Sequence, residues 1–135
     1  MHPYHHALSS TKKHGGQYLD YLAIHEWFDE TKKHMPDMRH RALRHHAEGI
    51  FWCEERFGTI LYNADGKKVL VRAIAEQHIM EDLGWIPTIK DYLTALDDSK
   101  ITWIYKRGVS KQTLNTLSED TSDIRFNTNS KTITD

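Results

Sequence analysis

Ten histidines stand in a chain of 135 residues, all at or before residue 78 and nine of them within the first 46. Imidazole titrates near neutral pH and is the commonest nitrogen ligand for transition metals. A regional excess of it therefore points to a site before it points to a reaction. His25 with Asp29 and His78 with Asp82 are each spaced four residues apart. On a helix that spacing puts both side chains on one face, close enough to share a cation or a hydrogen bond. His5 and His6 offer a third source of ligands, and His40 and His46 a fourth. Imidazole with carboxylate suits Zn²⁺, Mn²⁺ or Fe²⁺ better than Ca²⁺ or Mg²⁺. The candidate metal ligands are thus His5, His6, His25, His40, His46, His78 and Asp82.

Other residue types nearby fit phosphate chemistry. Arg39 or Arg41 would hold a phosphate, whose oxygens match a guanidinium fork. Glu54 or Glu81, or Glu48, would take a proton. Trp27, like Trp52 or Tyr62, offers a face on which a base can stack. Established signatures are absent. There is no CxxC, and HEWFD begins like HExxH but has Asp29 where the second histidine belongs. GxxxxGK[ST], GxGxxG and GxSxG do not occur.

The elements that must position these groups read as mainly α. Pro3 opens a first helix over 3–14 that Gly15-Gly16 ends. A second helix covers Tyr18 to Phe28. The longest periodic stretch runs from about Asp29 to Phe57, with Pro36 predicting a kink or break and Asp37 a cap for the second piece. With Ile50 at zero on a helical wheel, Met35, Ala42, Leu43, Ala47, Ile50, Cys53 and Phe57 share a core-facing arc with Arg39, His46 and Glu54. His40 lies at the border of that arc. Polar groups there are either a buried hydrogen-bonded network or the lining of a cleft. His45 falls on the opposite side with Arg41, Glu48 and His34, which predicts a solvated face. ILYN-ADGK-KVLV reads as a β-hairpin over about 60–71 turning at Asp65-Gly66. Residues 72–83 read as helix. Thr88 with Asp91 forms a capping box for a last helix to about Leu96. ITWIYK has strand composition.

Composition bounds the class. At 39% hydrophobic and 10% aromatic, the chain has the make-up of one soluble domain. No apolar run approaches about 18 residues, so no membrane span is expected, and no signal pattern opens the chain. Eighteen basic against nineteen acidic residues leave a net charge of −1, which gives no bulk case for nucleic acid. Cys53 is the only cysteine and reads as an inert buried thiol. Residues 1–107 read as a helical His-rich domain. Residues 108–135, rich in Ser, Thr, Asn and Asp, read as a polar tail, disordered or docked on a partner.

Five motifs in order resemble a family of small uncharacterised bacterial and phage proteins, a domain of unknown function. They are MHPYHHALSS, IHEWFDETK, RHRALRHHAEGI, the DG hairpin followed by VRAIAEQHIMEDLG, and IPT with DYL. The resemblance covers about residues 1–97. It implies a compact, mostly helical domain of bacterial cytoplasmic origin, or of the host cytoplasm if phage-encoded. It matches the family signature at His5, His6, His25, Asp29, Arg39, His40, Arg41, His45, His46, Glu48, His78, Glu81, Asp82 and Gly84, and implies no reaction. The tail beyond about 108 is extra to that pattern. A looser resemblance to HD-type metal phosphohydrolases would make His40, His46, His78 and Asp82 ligands, yet the chain contains no His-Asp dipeptide.

Three functional readings follow. One is a metal-dependent hydrolase of a phosphoester or nucleotide. Another is a non-catalytic binding protein that sequesters a nucleotide signal or blocks a host enzyme, with a homo-oligomer completing the pocket. The third is a polar network that fixes helix register beneath a partner surface. If histidines bind a metal they do so as neutral ligands, so acidification through about pH 6 should release the ion. Equilibrium dialysis across that range is the check, and full metal retention below about pH 5 would exclude histidine ligation.

Overall fold

The computed structural model describes residues 1–105. Six α-helices and one hairpin occur among them: α1 (Pro3–His14), α2 (Leu19–Asp29), α3 (Arg41–Arg44), α4 (Ala47–Phe57), β1 (Ile60–Tyr62), β2 (Lys68–Leu70), α5 (Val71–Leu83) and α6 (Ile89–Leu93). Met1–Thr94 form one compact unit. The mainly α reading with one small hairpin holds. The expected 107/108 boundary and the 108–135 tail lie outside the described residues. No helix of the described residues is long and apolar enough to cross a membrane.

Local signals set the ends of these elements. Pro3 opens α1, where the His2 side chain accepts from the Tyr4 amide, and Gly15, at φ 80°, closes it. Asn63 then ties the hairpin to the helices. Its Nδ2 donates to the His14 carbonyl and the Tyr21 hydroxyl, and its Oδ1 accepts from the amides of Asp65 and Lys67. The strands pair antiparallel from Ile60↔Leu70 to Tyr62↔Lys68. Residues 63–67 make the turn, with Gly66 at φ 76°. Thr88 and Asp91 form the expected capping box, but α6 ends at Leu93 rather than near Leu96.

α5 packs against α1, α2 and α4. Its buried stripe of Val71, Ile74, Ala75 and His78 faces the matching stripe of α2, Tyr21, Ile24, His25, Phe28 and Asp29. Burying side chains such as Phe28, Ile74 and Ile79 contributes roughly 1.5–3 kcal/mol each. Both stripes run from apolar residues into His and Asp, so the helices that make the core also carry the polar cluster.

The periodic stretch from 29 to 57 is broken at Pro36 and capped by Asp37 as expected, and a second, unexpected break follows. After α2 the chain makes 3₁₀ turns at Glu30–Lys33 and Met38–His40. Pro36 disfavours helix at the residue before it, and Asp37 restarts the chain by accepting from the Arg39 amide. The second break is at His46, whose backbone is extended (φ −160°, ψ 172°) and whose ring caps α4 by accepting from the Gly49 amide. Helical phase restarts at each break, so the single wheel does not apply. His45, expected on a solvated face, is fully buried, and Arg39, expected toward the core, is exposed. A strand at 101–106 is likewise corrected. Thr102–Tyr105 form a 3₁₀ turn, with the Ile104 amide bonded locally to the Ile101 carbonyl.

Residues 87–92 latch the second break. The Ala47 amide bonds the Pro87 carbonyl, the Ile89 amide bonds Glu48 Oε1, and the Tyr92 hydroxyl donates to the His45 carbonyl. Glu48 is therefore committed to this latch. At Gly49 the turn brings the backbone so close to the Arg44 carbonyl that an added Cβ would overlap it. Gly49→Ala should accordingly cost about 1–3 kcal/mol, as overpacking against backbone does. Urea unfolding is the measurement, and an unchanged midpoint would show that the turn is not held this tightly.

Candidate metal centre

The His/Asp pairs of α2 and α5 meet in the interior, and the segment between the two breaks adds two more imidazoles. His78 Nε2 lies 3.3 Å from Asp82 Oδ2 and 3.4 Å from Asp29 Oδ1. His45 Nε2 lies 3.1 Å from Asp82 Oδ2, 3.4 Å from Asp29 Oδ1 and 3.1 Å from His78 Nε2. Bonds of about 2.0–2.1 Å to a tetrahedral zinc place its donors roughly 3.3–3.4 Å apart. The four atoms thus have the spacing of a ligand set. All are buried: the side chains of Asp29 and Asp82 are 6% and 2% exposed.

His40 supplies a second observation. Its Nδ1 is 2.8 Å from the Asp37 carbonyl, which can only accept, so Nδ1 carries the hydrogen. Its Nε2 is buried without a hydrogen-bond partner and stands 3.4 Å from Asp29 Oδ1, while Asp29 Oδ2 is also buried and unpaired. Two acceptors facing each other in the interior require either a second proton on the ring or a cation between them.

A surrounding layer holds the carboxylates in place. His6 Nε2 lies 3.1 Å from Asp82 Oδ1 and its Nδ1 2.7 Å from Glu81 Oε1. Arg41 Nη2 stands 3.8 Å from Asp82 Oδ1. His25 backs His78, with their Nδ1 atoms 2.9 Å apart. The electrostatics follow from these contacts. Burial works to raise the carboxyl pKa values of Asp29 and Asp82, but the adjacent imidazoles outweigh it and hold both far below the usual range. Burial pushes His25 down to about 2. Burial also works to lower His6, but the Asp82 and Glu81 carboxylates outweigh it and raise its pKa.

Of the predicted ligands, the centre gathers His40, His78 and Asp82, with His6 and His25 around them. His5 is exposed on α1 and stays outside. His46 is buried but spent on capping: its Nδ1 accepts from Gly49 and its Nε2 faces the Leu43 carbonyl. Arg39 pairs with Asp37 at 2.8 Å and is 75% exposed. The Trp27 ring is covered by the Arg44 guanidinium at 4.2 Å. Glu54 pairs with Arg72. Glu81 is engaged by His6, Ser9 and Gln77. The Cys53 thiol is buried, as expected, and burial pushes its pKa up to about 12.

Sequence reasoning missed His45 because its phase was taken from a helix that does not continue through it. It left Asp29 as half of a pair with His25, whereas Asp29 meets His40, His45 and His78. The signals present were Pro36, which resets the phase, and Gly49, the residue that permits the second turn.

The model of one protein family, described as Domain of unknown function (DUF6915), matches residues 1–104. No curated protein and no solved structure matches the chain.

The buried charges predict acid sensitivity of the metal-free protein. His25 is neutral in the fold down to about pH 2, while in the unfolded chain it takes up a proton near 6.5. Asp29 and Asp82 also protonate more readily unfolded than folded. The unfolded state therefore binds more protons, and stability falls as pH drops below about 6.5. His6 acts in the opposite sense: its raised pKa adds stability that is lost as pH rises through the folded value. His25 sets the fall below about pH 6.5 and Asp29 and Asp82 add to it below about pH 5, so the Tm of chelator-treated protein should fall steadily between about pH 6.5 and pH 4. A flat or rising profile would contradict this account.

Proposed function

We propose, for a chain that belongs to the DUF6915 family, that it is a metalloprotein binding one divalent transition-metal ion through Asp29, His45, His78 and Asp82, with His40 as a fifth donor. The observation that carries this reading is the spacing of 3.1–3.4 Å among buried donors from three parts of the chain. The donor chemistry favours Zn²⁺, Mn²⁺ or Fe²⁺. Such an ion would neutralise two interior carboxylates and join α2, α5 and the 40–45 segment, so its binding energy would also be folding energy.

Hydrolysis of a phosphoester is the reaction this centre would support, and Arg41 favours it. Its Nε is buried without a hydrogen-bond partner, while the side chain is 19% exposed. The guanidinium thus lies between the centre and solvent, where a phosphate could be held by its fork. A bound ion would supply Lewis-acid polarisation and lower the pKa of a coordinated water. Glu81 and Glu54 are both committed to other partners, which argues against either as the free base first expected. The non-catalytic alternative uses the same Arg41 to retain a phosphorylated ligand or nucleotide, and differs only in showing no turnover.

Elemental analysis of the purified protein should find about one transition-metal ion per chain. His78→Ala should abolish it. His46→Ala should retain it while costing about 0.5–2 kcal/mol through the lost cap. Chelation should lower Tm and abolish any hydrolysis of bis(p-nitrophenyl) phosphate. Absence of metal after growth in, and reconstitution with, Zn²⁺, Mn²⁺ and Fe²⁺ would overturn the reading.

A further inference from the structure

We propose that Gln77, Ser10 and His25 form a buried chain of hydrogen bonds that fixes a hydrogen on His78 Nδ1, which leaves Nε2 as its ligand atom toward Asp29, His45 and Asp82. The direction of every bond follows from what its neighbour can do. Gln77 Nε2 lies 3.0 Å from the His6 carbonyl and 3.1 Å from Glu81 Oε1. The carbonyl accepts only, and so does an ionised carboxylate, so this atom is the amide nitrogen and Oε1 is left as an acceptor. Ser10 Oγ is 2.8 Å from that Oε1 and 3.2 Å from the His6 carbonyl. Whichever oxygen receives its single hydrogen, Ser10 has none to give to His25 Nε2 at 2.8 Å and must accept there.

His25 therefore carries its hydrogen on Nε2 and leaves Nδ1 bare. The only hydrogen available to the 2.9 Å contact between the two Nδ1 atoms then comes from His78. All four side chains are buried, and the Phe28 ring stacks on His78 with centroids 4.9 Å apart, which keeps water from offering a substitute partner. The ligand atom on His78 is thus set by an amide two side chains away. Such outer partners orient a ligating imidazole and raise its basicity, and their loss costs metal affinity by about 10–100-fold. Ser10, His25 and Gln77 are positioning residues in this scheme. The hydrogen on Nδ1 rests on the chain of bonds alone, whereas the bare Nε2 and the consequence for metal affinity rest on the centre proposed above, whose ion takes the place of a hydrogen between Nε2 and the two carboxylates.

The test is long-range ¹H–¹⁵N NMR of the imidazoles in metal-free wild-type protein at neutral pH, followed by Zn²⁺ titration against a competing chelator. His78 should show the Nδ1–H form, and His25 the Nε2–H form. A His78 without a hydrogen on Nδ1 would overturn the proposal, and this reading needs no variant to fold. Ser10→Ala should move His78 toward a mixture of tautomers and weaken Zn²⁺ binding by about 10–100-fold, with His25→Phe doing the same. Unchanged affinity in a folded Ser10→Ala protein would overturn the positioning role. A wild type with His78 in the Nδ1–H form that binds no metal would support the hydrogen-bond chain and sink the metal centre.

Discussion

Two carboxylates, Asp29 and Asp82, stand almost fully enclosed at the ends of the stripes by which α2 and α5 form the core. Removing a carboxylate from water costs several kcal/mol unless opposite charge and hydrogen bonds are supplied at close range. Much of the surrounding architecture can be read as that supply. α1 brings His6 and α5 brings His78. The broken segment after α2 brings His40, Arg41 and His45. Five side chains from three parts of the chain are thereby tied to two oxygen pairs. The core and the polar cluster are consequently one object, because a shift of α2 against α5 that improved apolar contact would misplace the carboxylates.

The parts of the fold written in adjacent residues were legible. Pro3 and Gly15 bound α1, Asp65-Gly66 marks the hairpin, and Thr88 with Asp91 caps α6, since each signal acts over four residues or fewer. The i, i+4 spacing of His25/Asp29 and His78/Asp82 likewise survives folding because both pairs sit on unbroken helices. Legibility failed where the backbone changes phase. A wheel drawn through 29–57 assumes one axis, and the chain uses at least two. His45 and His46 are neighbours with opposite fates, one directed into the cluster and the other turned to cap the next helix. No periodicity argument separates them without knowing that the helix starts at Ala47. ITWIYK shows the reverse limit, since β-branched and aromatic composition forms a strand only when a partner strand is present.

The same break explains why arginine and histidine candidates sorted as they did. Arg39 lies in the first turn after Asp37 and is satisfied there, at the surface. Arg41, two residues on, points back toward Asp82. Tautomers sort the imidazoles further. A backbone carbonyl fixes His40, and a side-chain relay fixes His78, so two ring nitrogens are aimed at the carboxylates by groups that never touch them.

The residues from Glu30 to His46 hold no regular helix longer than the four residues of α3, and the Tyr92 hydroxyl and the Ala47 and Ile89 amides secure their far end from outside. Two of the inward-facing imidazoles therefore sit on a segment of short helical turns, while α2 and α5 hold the carboxylates on continuous helices. Segments of that kind open at lower free energy than the elements they cross. The latch is joined by Arg44, which donates to the Trp27 carbonyl and to Glu30, and by Thr31, which donates to the His40 carbonyl, so His40 and His45 are positioned by tertiary contacts where Asp29, His78 and Asp82 are positioned by helices.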